Sequence, residues 1–188
     1  MGNKVTFGLK NVHYAVITEE ELGTITYATP KPLPGGIEIS IEPKGEMTEF
    51  YADDVLYYSA STNQGYEGTL KIANITDEFC TEVLAEVLDE TDQVISEVAN
   101  AKTKPFALLF EFDGDVKAVR HVLYNCSANR PTVASTTKTS STEPNENELS
   151  FTAGPRSTDY KVKTKTTDKT TETVYNNWYK KVYEKTPA

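Results

Sequence analysis

Apolar and polar residues alternate with a period of two through most of this chain, and that pattern commits it to strands. Ile37, Ile39 and Ile41 alternate with Glu38, Ser40 and Glu42, which predicts a strand with one wet face. Tyr66, Gly68, Leu70 and Ile72 do the same against Glu67, Thr69 and Lys71. After Pro105, Phe106, Leu108, Phe110 and Phe112 form a heavy aromatic face. The turn signal Asp113-Gly114-Asp115 then predicts a hairpin returning through Val116 to Asn125. In that return strand Ala118, Val122 and Tyr124 are apolar on one parity and Val119 and Leu123 on the other, so burial on both faces is expected. Val5, Phe7 and Leu9 are odd-numbered whereas Val12, Tyr14 and Val16 are even; the phase slips at Lys10-Asn11, which predicts a bulge or a change of direction. Leu149/Phe151/Ala153, Tyr160/Val162 and Val174/Asn176/Trp178 extend the strand pattern to the end.

One segment departs from it. From Asp77 to Asp89, Phe79/Cys80, Val83/Leu84 and Val87/Leu88 recur every three or four positions, with Thr76 in N-cap position and Asp77 and Glu78 suited to the positive end of a helix dipole. The expectation is a mainly β chain, a β-sandwich or barrel with one flanking α-helix near 76–89. Residues 1–165 form the β domain, and 166–188 a C-terminal strand or arm. Long polar stretches at 18–36, 43–59 and 127–147 are expected as loops. The last of these is a Thr/Ser-rich run too poor in apolar residues to offset its own ordering entropy. Residues 43–59 differ, because Phe50, Tyr51, Val55, Leu56, Tyr57 and Tyr58 are apolar or aromatic. They are either another core strand or a contact with another copy.

Charge narrows the function classes. Residues 1–126 carry 9 basic and 21 acidic side chains, whereas residues 127–188 carry 10 and 7, so a body of −12 precedes a segment of +3. A chain with a net charge of −9 lacks the Lys/Arg clusters that displace counterions from nucleic acid; only Lys161, Lys163, Lys165 and Lys169 form a basic stripe. The split would orient identical copies toward one another within the ~8–10 Å reach of screened charges. No window approaches the ~20 apolar residues of a membrane span, so no membrane partner is expected. The start, Met1 to Phe7, lacks the apolar run of a signal peptide, which places synthesis in a cytoplasm with Cys80 and Cys126 reduced.

Materials for catalysis are thin. Asp53-Asp54 and Asp113/Asp115 are solvated or turn carboxylates in this pattern, since adjacent strand residues face opposite ways. His13 and His121 have no spaced metal-ligand partners, and Cys80 lies on the apolar helix face. Gly35-Gly36 precedes a strand and not a helix, the wrong context for a phosphate cradle. No cofactor, no metal and no enzymatic activity are expected.

The sequence resembles the major tail proteins of long, non-contractile-tailed phages, the siphophage tail-tube subunits. The resemblance is carried by Phe7-Gly-Leu-Lys-Asn-Val-His-Tyr14, Gly45-Glu46 with Phe50-Tyr-Ala-Asp-Asp54, and Gly65-Tyr-Glu-Gly-Thr-Leu70. It continues in Phe106-Ala-Leu-Leu-Phe-Glu-Phe-Asp-Gly-Asp115, Arg120-His-Val-Leu-Tyr-Asn-Cys126, Arg130-Pro131 and Leu149-Ser-Phe-Thr-Ala-Gly-Pro-Arg156. It implies a structural virion protein, made in a host bacterium, that assembles as stacked hexameric rings into a tube through which DNA passes unbound. It also implies partners among tape-measure, tail-tip and head–tail joining proteins. Phe50, Tyr51, Asp53, Asp54, Val55 and Tyr57 are the expected inter-ring contacts, and Glu38, Glu42 and Glu67 the expected bore-facing acids. Two other functions compete: a carbohydrate- or host-surface-binding adhesin module using Tyr57, Tyr58, Tyr66 and Trp178, and a small hydrolase using Asp53 or Asp113.

Overall fold

A computed structural model describes residues 2–21, 24–135, 137 and 144–185. The chain is mainly β, with antiparallel sheets consistent with a β-sandwich. In chain order its elements are β1 (Thr6–Glu21), β2 (Thr24–Tyr27), β3 (Lys31–Pro32), β4 (Gly36–Lys44), β5 (Met47–Ala52), β6 (Val55–Ser61) and β7 (Gly65–Ile72). There follow α1 (Asp77–Glu82), β8 (Val87–Asp89), β9 (Val94–Ser96), β10 (Phe106–Gly114), β11 (Val119–Ala128), β12 (Asn147–Gly154), β13 (Lys163–Lys165) and α2 (Glu172–Asn176).

The main sheet runs β2-β1-β10-β11-β12-β7-β4, with β13 added to β11 and β3 to β1. Strand β11 changes partner along its length: residues 121–123 pair with β13 and residues 125–128 with β12. The sheet curls until the start of β4 lies over β1, so close that a Cβ at Gly36 would sit 2.8 Å from Val12 Cγ2. The enclosed core gathers Tyr14, Leu70, Ile72, Phe106, Leu108, Phe110, Leu123 and Phe151, with Phe79, Val83 and Leu84 of the helix region as its lid.

The predicted bulge in β1 is present. The register with β10 shifts between Lys10 and His13, and Asn11 adopts a positive φ of 51°. Its side chain then donates to Glu111 Oε1 at 2.6 Å. Helix α1 begins as expected, with Thr76 Oγ1 accepting from the Phe79 amide, but it ends at Glu82 and not near residue 89. Ala85 turns the chain at φ 59°, and Val87 and Leu88 join Ser96 and Ile95 in a hairpin instead of continuing the helical stripe. The stretch expected as a loop at 43–59 is largely the β5–β6 hairpin, and the 18–36 stretch carries the end of β1 together with β2 and β3. Within the 127–147 stretch, Ala128 ends β11 and Asn147 starts β12; residues 136 and 138–143 lie outside the described residues, as do 22 and 23 of the 18–36 stretch.

The C-terminal segment is not a strand. It is α2 followed by turns, and Val174, Trp178 and Val182, spaced by four, pack on a second apolar face made by Ala15, Ala107, Leu109, Val122 and Tyr124. Asn176, assigned to the same strand face as Val174 and Trp178 by alternation, is exposed. A buried ion pair anchors this segment. Arg120 Nε donates to Glu111 Oε2 at 2.9 Å, and Arg120 Nη1 donates to the Tyr175 carbonyl at 2.5 Å. The guanidinium lies 3.7 Å from the Tyr175 ring centroid, and Tyr179 Oη donates to the same carboxylate at 3.2 Å. A second clamp is Arg156, which donates twice to Asp159 (2.6 and 2.8 Å) and once to Glu184 (2.9 Å). This pairing holds the Asp159 carboxyl well below the usual range.

Arg120→Ala should cost about 3–5 kcal/mol, because it leaves the Glu111 carboxylate buried without its partner. Urea unfolding measures that loss, and the C-terminal segment should become the first site of limited proteolysis. His121 gives a pH-dependent effect. Its ring stacks on Phe110 (centroids 5.1 Å apart, 6° between planes), and burial, with Lys163 and Lys165 adding to it, pushes its pKa down to about 4. The unfolded chain therefore binds the proton more readily than the folded one. Stability is complete above pH ~6.5 and falls as pH drops toward 4, by about 2 kcal/mol after allowance for solvent screening of a half-buried ring. Thermal melts at pH 7 and 4.5 should show a larger gap for the wild type than for His121→Phe.

Candidate assembly surfaces

The residues expected to make contacts between copies fall together on the β5–β6 hairpin. Ala52 pairs with Val55, leaving Asp53 and Asp54 as a two-residue loop with φ 51° and 59°. Two successive positive φ values are the signature of a type I′ turn, whose twist matches that of the flanking strands. The two aspartates therefore set the turn, and their neighbours carry the surface. Met47, Phe50, Tyr51, Val55, Leu56, Tyr57 and Tyr58 are each between 49% and 72% exposed. Phe50 faces Tyr58 across the ladder, and Tyr51 faces Leu56 after a register shift that leaves Tyr57 unpaired. Adjacent residues point to opposite sides, so both faces of this ribbon are apolar.

A two-stranded ribbon alone in water is marginal, and this one has no second layer of its own. Its base is nonetheless fixed. Thr62 N donates to the Glu46 carbonyl (2.9 Å), Gln64 N to the Lys44 carbonyl (2.8 Å), and Glu46 N to Thr62 Oγ1 (3.0 Å). The ribbon leaves from the end of β4 and the start of β7, whereas α1 follows the other end of β7. Alternation flagged the apolar residues correctly but could not separate a core strand from a projecting ribbon, because both carry the same composition.

The acidic trio also comes together. Glu38, Ser40 and Glu42 of β4 lie beside Lys71, Thr69 and Glu67 of β7, and Glu148, Ser150 and Thr152 of β12 continue the three rows. This is the solvent face of the curled sheet. It contains a shallow concavity of about 440 Å³ lined by Ser40, Glu42, Glu67, Thr69, Ser150 and Thr152 among others. Glu38 pairs with Lys71 (2.9 Å) and Glu67 with Lys44 (2.5 Å). Among the described residues Glu42 makes no ion pair, and it stands opposite Glu67, whose charge Lys44 offsets. Beyond it, β4 is the outermost strand of the sheet, nine residues long.

The aromatics considered for a sugar platform are not gathered in one place. Trp178 is buried in the second core, and Tyr66 packs against the main core with Lys163 Nζ 4.2 Å from its ring centroid. Only Tyr57 and Tyr58 are exposed. Asp113 is ion-paired with Lys10, and Asp53 belongs to the hairpin turn. Burial pushes the Cys80 thiol up to about 11, which keeps it protonated and unreactive at neutral pH. Sequence reasoning missed two other exposed apolar sets, Val87, Leu88, Val94 and Val98 around β8–β9, and Val5, Phe7 and Val116 at the opposite end of the β10–β11 ladder. The Asp89-x-Thr91-Asp92 spacing was the available signal for the first. The Asp89 carboxylate accepts from the Thr91 and Asp92 amides, a turn device that closes the β8–β9 hairpin.

No protein-family model matches the sequence, and no curated protein matches it. Among solved structures, the fold is similar to that of the tube-terminating cap of the anti-feeding prophage, with a TM-score of 0.52 over 84% of this chain and 88% of that one at 10% sequence identity. At that identity the likeness is one of fold.

Asp54→Gly should stabilise the hairpin by about 0.5–1 kcal/mol, since glycine holds a positive φ without strain. Amide hydrogen exchange in β5 and β6 should slow accordingly, with the rest of the sheet unchanged.

Proposed function

We propose that this chain is a structural subunit of a phage-type tail tube, a major tail protein of the long non-contractile kind. Copies join side by side into rings, hexameric by the resemblance in sequence, and rings stack into a cylinder through which DNA passes. Its partners are other copies of itself, together with the tape-measure, tail-tip and head–tail joining proteins that such a tube requires. It belongs in the virion and performs no catalysis.

The observation that carries this reading is the β5–β6 ribbon. A hairpin apolar on both faces finds cover only when inserted between two surfaces, and the described residues of the chain offer none. Covering each large side chain would contribute about 1–2 kcal/mol, enough in sum to offset the entropy lost on association. The ribbon projects from one end of β7 and the helix region from the other; a ribbon seated on a different surface of the next copy makes a head-to-tail contact, the kind that propagates without closing. The shared fold with a tube-terminating cap supports the same assignment.

The acidic face supports a bore. DNA that must slide has to be repelled and not held, and carboxylates hold no phosphate. Strand β4, long and unpaired on its outer side, supports lateral joining, since a free edge of nine residues otherwise invites uncontrolled pairing.

Electron microscopy of the concentrated protein in negative stain should reveal rings or hollow tubes. Replacing Met47–Ser61 by two glycines between Glu46 and Thr62 should leave a chain with an unchanged circular dichroism spectrum that stays monomeric by light scattering. Long tubes from the shortened chain would overturn the role of the ribbon. A wild type that stays monomeric at every concentration would overturn the tube itself.

A further inference from the structure

We infer that the β8–β9 hairpin of one copy docks into the concavity at the opposite end of the β10–β11 ladder on the next copy, forming a second stacking contact. This inference rests on the tail-tube reading and concerns residues that the β5–β6 ribbon does not include.

The two surfaces lie at the two ends of one pair of strands. The segment carrying β8 and β9 is tied to the start of β10 by Lys104 N donating to the Val83 carbonyl at 2.8 Å. It is tied beyond the end of β11 by Arg130, which pairs with Glu97 at 2.8 Å and donates to the Val98 carbonyl at 3.2 Å. The concavity lies past the other end, where β10 turns into β11. It measures about 430 Å³ and is lined by Val116, Lys117, Ala118 and Val119 on one side and Lys165, Thr166, Thr167 and Asp168 on the other. Nine strand residues separate the two features, roughly 30 Å at ~3.3 Å per residue. Two complementary sites at opposite ends of one ladder suit a head-to-tail repeat, in which each copy offers its hairpin to one neighbour and its concavity to the other.

Chemistry matches the two ends. The hairpin region 86–97 holds five acidic side chains and no basic one. It also exposes Val87, Leu88 and Val94 at 55%, 43% and 52%. The concavity presents Lys117 and Lys165, with Lys4 beside it, against Asp168 in its lining and Asp115, whose carboxylate accepts from the Lys4 amide. Lys117 is held over the Tyr175 ring at 3.9 Å, so its charge is fixed at the rim. Val5 and Val116 beside it are 58% and 63% exposed, an apolar counterpart for Val87 and Val94. The floor is rigid as well. Asn3 Oδ1 accepts from the Val116 and Lys117 amides at 3.2 and 2.9 Å, and its Nδ2 donates to the Lys117 carbonyl at 2.5 Å. An acidic, apolar tip and a basic, apolar socket identify the occupant as a second copy of this chain.

The test pairs charge reversal with a covalent trap. Glu90→Lys with Asp92→Lys, or Lys117→Glu with Lys165→Glu, should each reduce tube yield by about tenfold or more, and mixing the two reversed proteins should restore it. Thermal melts of each variant establish that the chain is folded. In a Cys80→Ala background, Thr91→Cys combined with Thr167→Cys should give a ladder of disulfide-linked multimers on oxidation of assembled material, and neither single variant should. Wild-type tubes with no ladder from the cysteine pair, or reversed-charge variants that assemble normally or are not rescued by mixing, would overturn this contact and leave the tube reading intact. No tubes from the wild type would overturn the tube reading, and this contact with it.

Discussion

Strand β10 has no wet side, and most of the architecture follows from that. Phe106 through Phe110 are fully buried, with Phe106, Leu108 and Phe110 turned into the curled sheet and Ala107 and Leu109 turned away from it. A strand buried on both faces needs two covers. The first comes from the sheet itself, which bends until β4 crosses β1 and the α1 region closes the opening. The second comes from far along the sequence, in the Val174–Trp178–Val182 stripe. Burying a side chain the size of Trp178 contributes about 2–3 kcal/mol, so this cover is a substantial part of the stability of the domain. The Glu111–Arg120 pair adds little net energy over an apolar substitute, but its hydrogen bonds to Tyr175 and Tyr179 dictate where the stripe lies.

With the centre closed in this way, and apart from the single exposures of Ile37, Val133 and Tyr160, the uncovered apolar surface among the described residues gathers in three places. They are the β5–β6 ribbon, the β8–β9 hairpin and the Val5–Phe7–Val116 corner. All three project from strand ends and none from the middle of the sheet. The sheet's solvent face is instead dressed with carboxylates, lysines and hydroxyls. Apolar strand ends and a hydrophilic flank are the division of surface that the proposed tail-tube role would require.

The sequence was most legible where the pattern and the burial coincide. The double-sided hairpin at Phe106–Asn125, the slip at Lys10-Asn11 and the Thr76 cap could all be read because each leaves a local signature. The bulge is anchored by Asn11 itself, and the cap by Thr76 itself. Legibility failed where two periods share the same residues. Val174, Trp178 and Val182 fit a count of two as well as a count of four, and only the polar Asn176 and Lys180 at the even positions between them speak against the strand. Val87 and Leu88 prolong the helical stripe of Phe79–Leu84 on paper, but the turn at Ala85 and the carboxylate of Asp89 take them elsewhere. The acidic trio was identifiable as wet-face residues. Their gathering opposite Lys44 and Lys71 depends on a pairing between β4 and β7 that no local pattern encodes.

The distant origin of the second cover has a consequence for biosynthesis. Strands β10 and β11 leave the ribosome dozens of residues ahead of the segment that must lie on Ala107, Leu109, Val122 and Tyr124. During translation that face of the sheet stays bare until Trp178 and Val182 emerge, and transiently exposed apolar surface of this kind favours aggregation. A chain cut short before Trp178 therefore leaves Ala107, Leu109, Val122 and Tyr124 without their cover, so the last-made residues complete a face laid down long before them.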